Sequence, residues 1–200
     1  MKTILVIGGT GMLGQAVARE LNKDGYTVRI FSRDRAKAQE LFDESYEIYE
    51  GELNDPGTIL PAVEGCDGIY INLSGEIVGP GTQNIVEAAK QKDIGQIGFI
   101  SGATVRKENS WHPMIRNMYL GEEALINGGI PYTIFKPGWF MESLPRFVVK
   151  GRVMLLGKQP HLWPWTSSGD LARMVSRSFQ KMWSASSATP EPTTRAATSP

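Results

Sequence analysis

Apolar runs alternate with amphipathic ones along this chain as far as Lys136, regularly enough to read as a fold. Thr3–Ile7 (TILVI) is β-branched and almost wholly apolar, which suits a parallel strand buried on both faces. From Met12 to Lys23, Leu13, Val17 and Leu21 recur every four residues with Ala16 beside them, marking one face of a helix that Gly25 closes. Tyr26–Phe31 predicts a second strand, and Asp34 can cap a helix through Phe42. Glu47–Leu53 predicts a third strand, and Asp55-Pro56 opens a helix through Glu64. The beat then continues with a strand at Gly68–Leu73, a helix at Thr82–Gln91 and a strand at Gln96–Ser101. A helix at Asn117–Asn127, ended by Gly128-Gly129, precedes a sixth strand at Pro131–Lys136. Such alternation implies right-handed crossovers and a doubly wound α/β fold, its parallel sheet covered on both faces.

After Pro137-Gly138 the rhythm breaks. Residues 139–167 are rich in Trp, Pro and Phe and predict a small substrate-side cap with at most a short hairpin around Gly151 and Gly157. Asp170 is expected to cap a final helix, Leu171–Met182. From Ser184 to Pro200 there is no Val, Ile, Leu or Phe, so this stretch is expected to be a disordered tail. The organisation expected is therefore one domain over 1–183 and a tail over 184–200.

Four glycines, Gly8, Gly9, Gly11 and Gly14, crowd the join between the first strand and the first helix. A helix that starts directly from a strand leaves its first N–H groups unpaired at the sheet edge, and these form an anion site. Side chains there would hold a pyrophosphate away. Gly9, Gly11 and Gly14 satisfy G-x-G-x-x-G, while Gly8, Gly11 and Gly14 satisfy G-x-x-G-x-x-G; in either frame the strand–turn–helix context predicts a Rossmann-like dinucleotide site. The end of the second strand bears on which dinucleotide. Ser32 and Arg33 suit the 2′-phosphate of NADP, whereas Asp34 either takes the ribose hydroxyls, as in NAD sites, or merely caps a helix. NADP is the reading favoured here.

Composition narrows the partners. Lys plus Arg and Asp plus Glu both number 21, so no global charge points to nucleic acid or an anionic membrane. Cys66 is the only cysteine, which fits a reducing compartment and a small buried apolar role. No apolar stretch approaches the roughly 20 residues of a membrane span, and the N-terminus lacks a signal-peptide pattern, so a cytoplasmic protein is expected. Two histidines far apart, His112 and His161, give no metal site, and His161 is expected merely to pack.

The stretches GGTGMLG (8–14), SRD (32–34), GELND (51–55), INLS (71–74), FISGATV (99–105), GIPYTIFKPGWFMESL (129–144) and GDLARMV (169–175) resemble the NmrA-like group of atypical short-chain dehydrogenases/reductases. The resemblance implies that Gly8, Thr10, Gly11, Met12 and Leu13 wrap the pyrophosphate, and that Arg33 meets the 2′-phosphate. It further implies that Glu52 and Leu53 flank the adenine and that Asn72, Leu73 and Ser74 line the cofactor. Pro137, Gly138 and Phe140 would border the nicotinamide end and the substrate. Read without the resemblance, Leu53 and Leu73 are equally plain core.

The catalytic part departs from the group. No Tyr-x-x-x-Lys occurs, Gly102 follows Ser101 where an acting hydroxyl often lies, and Met118 stands where relatives carry a helical Lys. The remaining candidates are His112, Tyr119 and Lys136, each with an ordinary structural alternative. Relatives also continue for tens of residues beyond the DLAR helix, so a truncated or frame-altered end is expected. Two functions follow. One is an NADPH-dependent oxidoreductase acting on a small quinone or carbonyl; the other is a non-catalytic NADP(H) sensor that binds a protein partner.

Overall fold

The computed structural model describes residues 2–149, 151–153 and 165–187. Its strands are β1 (Thr3–Ile7), β2 (Thr27–Ser32), β3 (Tyr46–Glu50), β4 (Gly68–Ile71), β5 (Gln96–Ile100) and β6 (Tyr132–Phe135). They form one all-parallel sheet in the order β3-β2-β1-β4-β5-β6. Between them run α1 (Met12–Lys23), α2 (Arg35–Leu41), α3 (Pro56–Val63), α4 (Val78–Ala89) and α5 (Pro113–Ile126), and α6 (Ser168–Ser187) comes last. This is the doubly wound Rossmann order, and it reverses direction between β1 and β4.

The continuous apolar strands explain the two-sided core. In β1, Leu5 and Ile7 join one cluster with Ile69 and Ile71 of β4, Ile85 of α4 and Leu125 of α5. Ile4 and Val6, on the alternate positions, join the other with Val17 and Leu21 of α1 and Val175 and Phe179 of α6. Period-two side-chain alternation thus feeds both faces at once.

Several boundaries shift. β3 stops at Glu50 rather than Leu53, because Glu52 turns away to bond Thr58 through both its N–H and its carbonyl (3.0 Å each). α4 begins at Val78, four residues before Thr82, and α5 at Pro113, four before Asn117. Asp170 does not cap α6. It stands in the first turn, its N–H bonded to Ser167 Oγ at 3.0 Å. The tail expected from Ser184 instead continues α6 to Ser187; the rest of that expectation, with His161 and Gly157, lies outside the described residues.

The cap has more order than a hairpin. β7 (Trp139–Phe140) pairs in parallel with a later strand at Trp165–Thr166, and a 3₁₀ segment covers Met141–Phe147. β8 (Val148–Val149) and β9 (Arg152–Val153) form the expected hairpin about Gly151, and β10 is the Trp165–Thr166 strand. Glu142 Oε1 accepts from the Ser168 N–H (2.7 Å) and hydroxyl (2.6 Å), tying the cap to the start of α6. Among the described residues no helix is long and apolar enough to cross a membrane.

Candidate functional site

The glycines at the end of β1 divide their work. Gly8 has φ of +75°, and a Cβ there would collide with the Asn72 carbonyl, so this position needs glycine to make the turn. A Cβ on Gly14 would collide with the Gly8 carbonyl, so glycine here lets α1 press against the loop. Gly11 differs from both. A Cβ there would meet nothing closer than the Gly8 carbonyl at 3.4 Å, so the chain itself does not require glycine at this position. A ligand drawn against the loop would require it. The working frame is therefore Gly8, Gly11 and Gly14, and Gly9 faces the side chains of Ile30 and Val6.

Gly11 also precedes α1 without a side-chain cap, and among the described residues the N–H groups of Met12 and Leu13 find no acceptor. Uncapped helix N–H groups beside an open glycine match the charge and shape of a pyrophosphate. They front a cleft of about 870 Å³ at the β1/β4 switch point. Gly8, Thr10, Gly11, Met12, Leu13, Ser32, Arg33, Glu52, Leu53, Asn72, Leu73 and Ser74 all line it. So do residues that the sequence reading did not single out: Ile7, Phe31, Lys37, Asn54, Glu76 and Ile77. Lys37 stands in the first turn of α2, three residues past the Asp34 cap that the sequence marks, and that place at the helix start was the available signal.

The turn after β2 sorts its polar groups. Asp34 caps α2, its carboxylate accepting from the Lys37 N–H at 2.9 Å. Ser32 Oγ donates to the Asp34 carbonyl (2.9 Å) and accepts from the Asp34 N–H (3.2 Å), so its hydroxyl proton is taken up by the turn. Ser32, expected beside the 2′-phosphate, thus lines the cleft with its hydroxyl bonded inside the turn. Among the described residues, the side chains of Arg33 and Lys37 make no hydrogen bond or ion pair, and both are exposed.

Pro137 does not line the cleft. Its carbonyl accepts from the Ala103 N–H at 2.9 Å, and Phe140 packs against the α1–α6 core instead. Of the catalytic candidates, His112 is the residue before Pro113 that starts α5; it is exposed, its ring edge-on to Trp111. Tyr119 sits seven residues, about two turns, further along α5. Desolvation, and after it the Glu123, Glu108 and Glu122 carboxylates, push its phenol above the ordinary range, opposite to the lowering an acid catalyst needs. Met118 packs against the core.

Lys136 Nζ pairs with Glu122 Oε2 at 2.8 Å and donates to the Val105 carbonyl at 3.3 Å. Glu122, buried on α5, also accepts from the Ser101 hydroxyl. Elsewhere, burial pushes the Cys66 thiol up to about 11, against the partial opposition of Arg29, whose Nη1 lies 3.3 Å from its sulfur. Such a thiol is inert at neutral pH. No group of three or more His, Cys, Asp or Glu side chains among the described residues is disposed to hold a metal ion.

Comparison with known proteins agrees with this geometry. A family model described as NAD(P)H-binding matches residues 8–180. The photosystem II assembly factor Ycf39 of Cyanophora paradoxa is 32% identical over 181 residues, covering 86% of this chain and 55% of that protein. The NAD(P)H azoreductase of Xenophilus azovorans is 29% identical over 146 residues, covering 70% and 49%. The chain spans about half the length of these curated relatives. Among solved structures, the Escherichia coli NADPH-dependent quinone oxidoreductase in complex with NADPH superposes with a TM-score of 0.62 at 25% identity, over 72% of this chain and 53% of that one. With its six-stranded parallel sheet, its glycine-lined switch point and a family match across most of its length, the chain belongs to the NAD(P)H-binding Rossmann proteins, as an NmrA-like atypical short-chain dehydrogenase/reductase.

Proposed function

We propose that this protein binds NADPH in the switch-point cleft and reduces a small quinone, or an equally activated carbonyl, rather than a simple ketone. One observation carries the cofactor choice. The Asp34 carboxylate, which would favour NAD, is taken up in capping α2, while Arg33 and Lys37 line the same end of the cleft with no partner among the described residues. Two free cations beside a ribose suit a 2′-phosphate through charge-assisted bonds. The NADPH-bound quinone oxidoreductase among the structural neighbours supports the same choice.

When bound, NADPH supplies a hydride. The chain's part is to hold it by the loop N–H groups, while Tyr119, its phenol pushed above the ordinary range, gives the acceptor little acid help. Quinones tolerate that lack, because their reduced oxygen is weakly basic. We assign the protein to the cytoplasm on its single, buried cysteine. The second reading, an NADP(H) sensor with a protein partner, draws on the absence of a Tyr–Lys pair and on the photosystem assembly factor among the relatives.

Titrating NADPH and NADH into wild type, Arg33→Ala and Lys37→Ala tests the cofactor. A charge-assisted contact is worth about 1.5–3 kcal/mol, so wild type should prefer NADPH by about ten- to a hundredfold, more at low salt. Arg33→Ala should erase most of the preference by weakening NADPH alone, and Lys37→Ala part of it. Tighter NADH binding by wild type would sink the assignment. NADPH oxidation with a quinone panel separates reductase from sensor.

A further inference from the structure

Three polar side chains at the far rim of the sheet lie outside the lining of the glycine-loop cleft. Glu122 is only 5% exposed, yet both oxygens are engaged, Oε1 by the Ser101 hydroxyl and Oε2 by Lys136. Burying a carboxylate is costly even when it is paired, and an apolar side chain would serve the core as well or better. Stability alone does not account for the arrangement.

What it achieves is aim. Glu122 and the Val105 carbonyl take two of the three ammonium protons of Lys136. The third finds no acceptor among the described residues, and the side chain is 41% exposed. The glycine loop ends β1, and Leu73, a wall of the cleft, lies two residues past the Ile71↔Phe99 pair of β4 and β5. Ser101 lies two residues past the same pair on β5, and Lys136 directly follows β6. In the order β1-β4-β5-β6, cleft and ammonium therefore share the carboxyl edge of the sheet, where open α/β sheets take their ligands.

We propose that Lys136 Nζ, aimed by Glu122, meets the oxygen of the acceptor as it is reduced, stabilising the oxyanion and giving it a proton. Lys136 is then the catalytic residue and Glu122 a positioning residue, the cation standing in for the missing Tyr–Lys pair. The assignment rests on reading the cleft as an NADPH site. In the step, the acceptor gains a hydride and its carbonyl π pair moves onto oxygen, while NADPH is oxidised to NADP⁺. One N–H bond of Lys136 breaks as the O–H bond forms, and water returns a proton to the amine.

The test uses protein saturated with NADP⁺ and 4-nitrophenol, whose ionised form absorbs at longer wavelength and mimics the oxyanion. Wild type should bind the nitrophenolate, Lys136→Met should lose about tenfold or more of that affinity, and Lys136→Arg should keep most of it. NADP⁺ affinity by calorimetry should be the same in all three. Glu122→Gln keeps the ammonium but not its aim, so nitrophenolate binding should survive while kcat for 1,4-benzoquinone falls about tenfold or more at unchanged KM. Equal nitrophenolate binding by wild type and Lys136→Met overturns the proposal, as does an unchanged kcat in Glu122→Gln. Absence of nitrophenolate binding or of quinone reduction in a wild type that holds NADP⁺ overturns it too, and leaves the cofactor reading intact. Failure of NADP⁺ itself to bind overturns both.

Discussion

The end of β1 and the end of β5 both carry polar groups to the carboxyl edge of one sheet, and they differ in what those groups have left to bind. Around the glycine loop, the N–H groups of Met12 and Leu13 are unpaired, and the nearby Arg33 and Lys37 side chains have no partner among the described residues. Around β5, the Ser101 hydroxyl, both Glu122 oxygens and most of Lys136 are satisfied within the chain. Unpaired groups are inexpensive where water reaches them and costly where it does not. A region left open in this way is poised for a ligand, whereas a closed one sets its own geometry. Substitutions should therefore weaken binding at the first region and stability at the second.

The sharpest way to break that division lies inside the loop itself. Gly11→Val adds a branched side chain where the chain has room, so melting should be nearly unchanged while NADPH affinity falls by about a hundredfold or more. Gly14→Ala, three residues on, drives a methyl into the Gly8 carbonyl and should cost about 1–3 kcal/mol in urea unfolding. Equal loss of stability in the two variants would remove the distinction between ligand-facing and chain-facing glycines.

Glu122→Gln should cost about 1–3 kcal/mol of stability, because it removes the charge that pairs with Lys136 inside the core, and leave NADPH affinity as it was. Arg33→Ala should do the reverse, with no measurable change in unfolding. The smallest effect is expected at Tyr119. With its phenol held above the ordinary range, Tyr119→Phe should leave quinone turnover within about twofold of wild type, and reduction of a simple ketone should be undetectable in both. Ketone turnover that vanished in Tyr119→Phe would reinstate the tyrosine as an acid.

Much of the fold was legible because its signals are local. The unbroken apolar run of β1 and the four-residue recurrence in α1 each lie within a dozen residues. α4 was read short because Gly79-Pro80-Gly81 looks like a break. Those glycines instead let α4 close on its neighbours, a Cβ on Gly79 meeting Leu120 at 3.1 Å and one on Gly81 meeting Leu53 at 3.1 Å. The start of α5 was missed although Pro113 is a usual first helical residue, because the apolar recurrence begins a turn later. In the cleft, the loop and Arg33 could be named from spacing and Asp34 as a cap, but the engagement of the Ser32 hydroxyl could not, since it depends on how one turn folds back. The rim was least legible of all. Ser101, Glu122 and Lys136 come from three elements, and nothing in one-dimensional spacing brings them together.

The way α6 closes the molecule has a consequence for the order in which it is made. Leu171, Ala172, Val175 and Phe179 complete the core that α1 opens, and Ser176 Oγ donates to Asp24 at 2.5 Å across 152 positions. A chain emerging from the ribosome can lay Val17, Ala18 and Leu21 of α1 on β1 and β2 early, yet Tyr70, Ile100 and Phe135 on the same face wait for α6. Until then that part of the face is bare, and such late, long-range closure is slow and exposes apolar surface to other chains. The glycine loop is thus completed in sequence long before the scaffold that steadies it, and a helix translated about 150 residues later makes the first one firm.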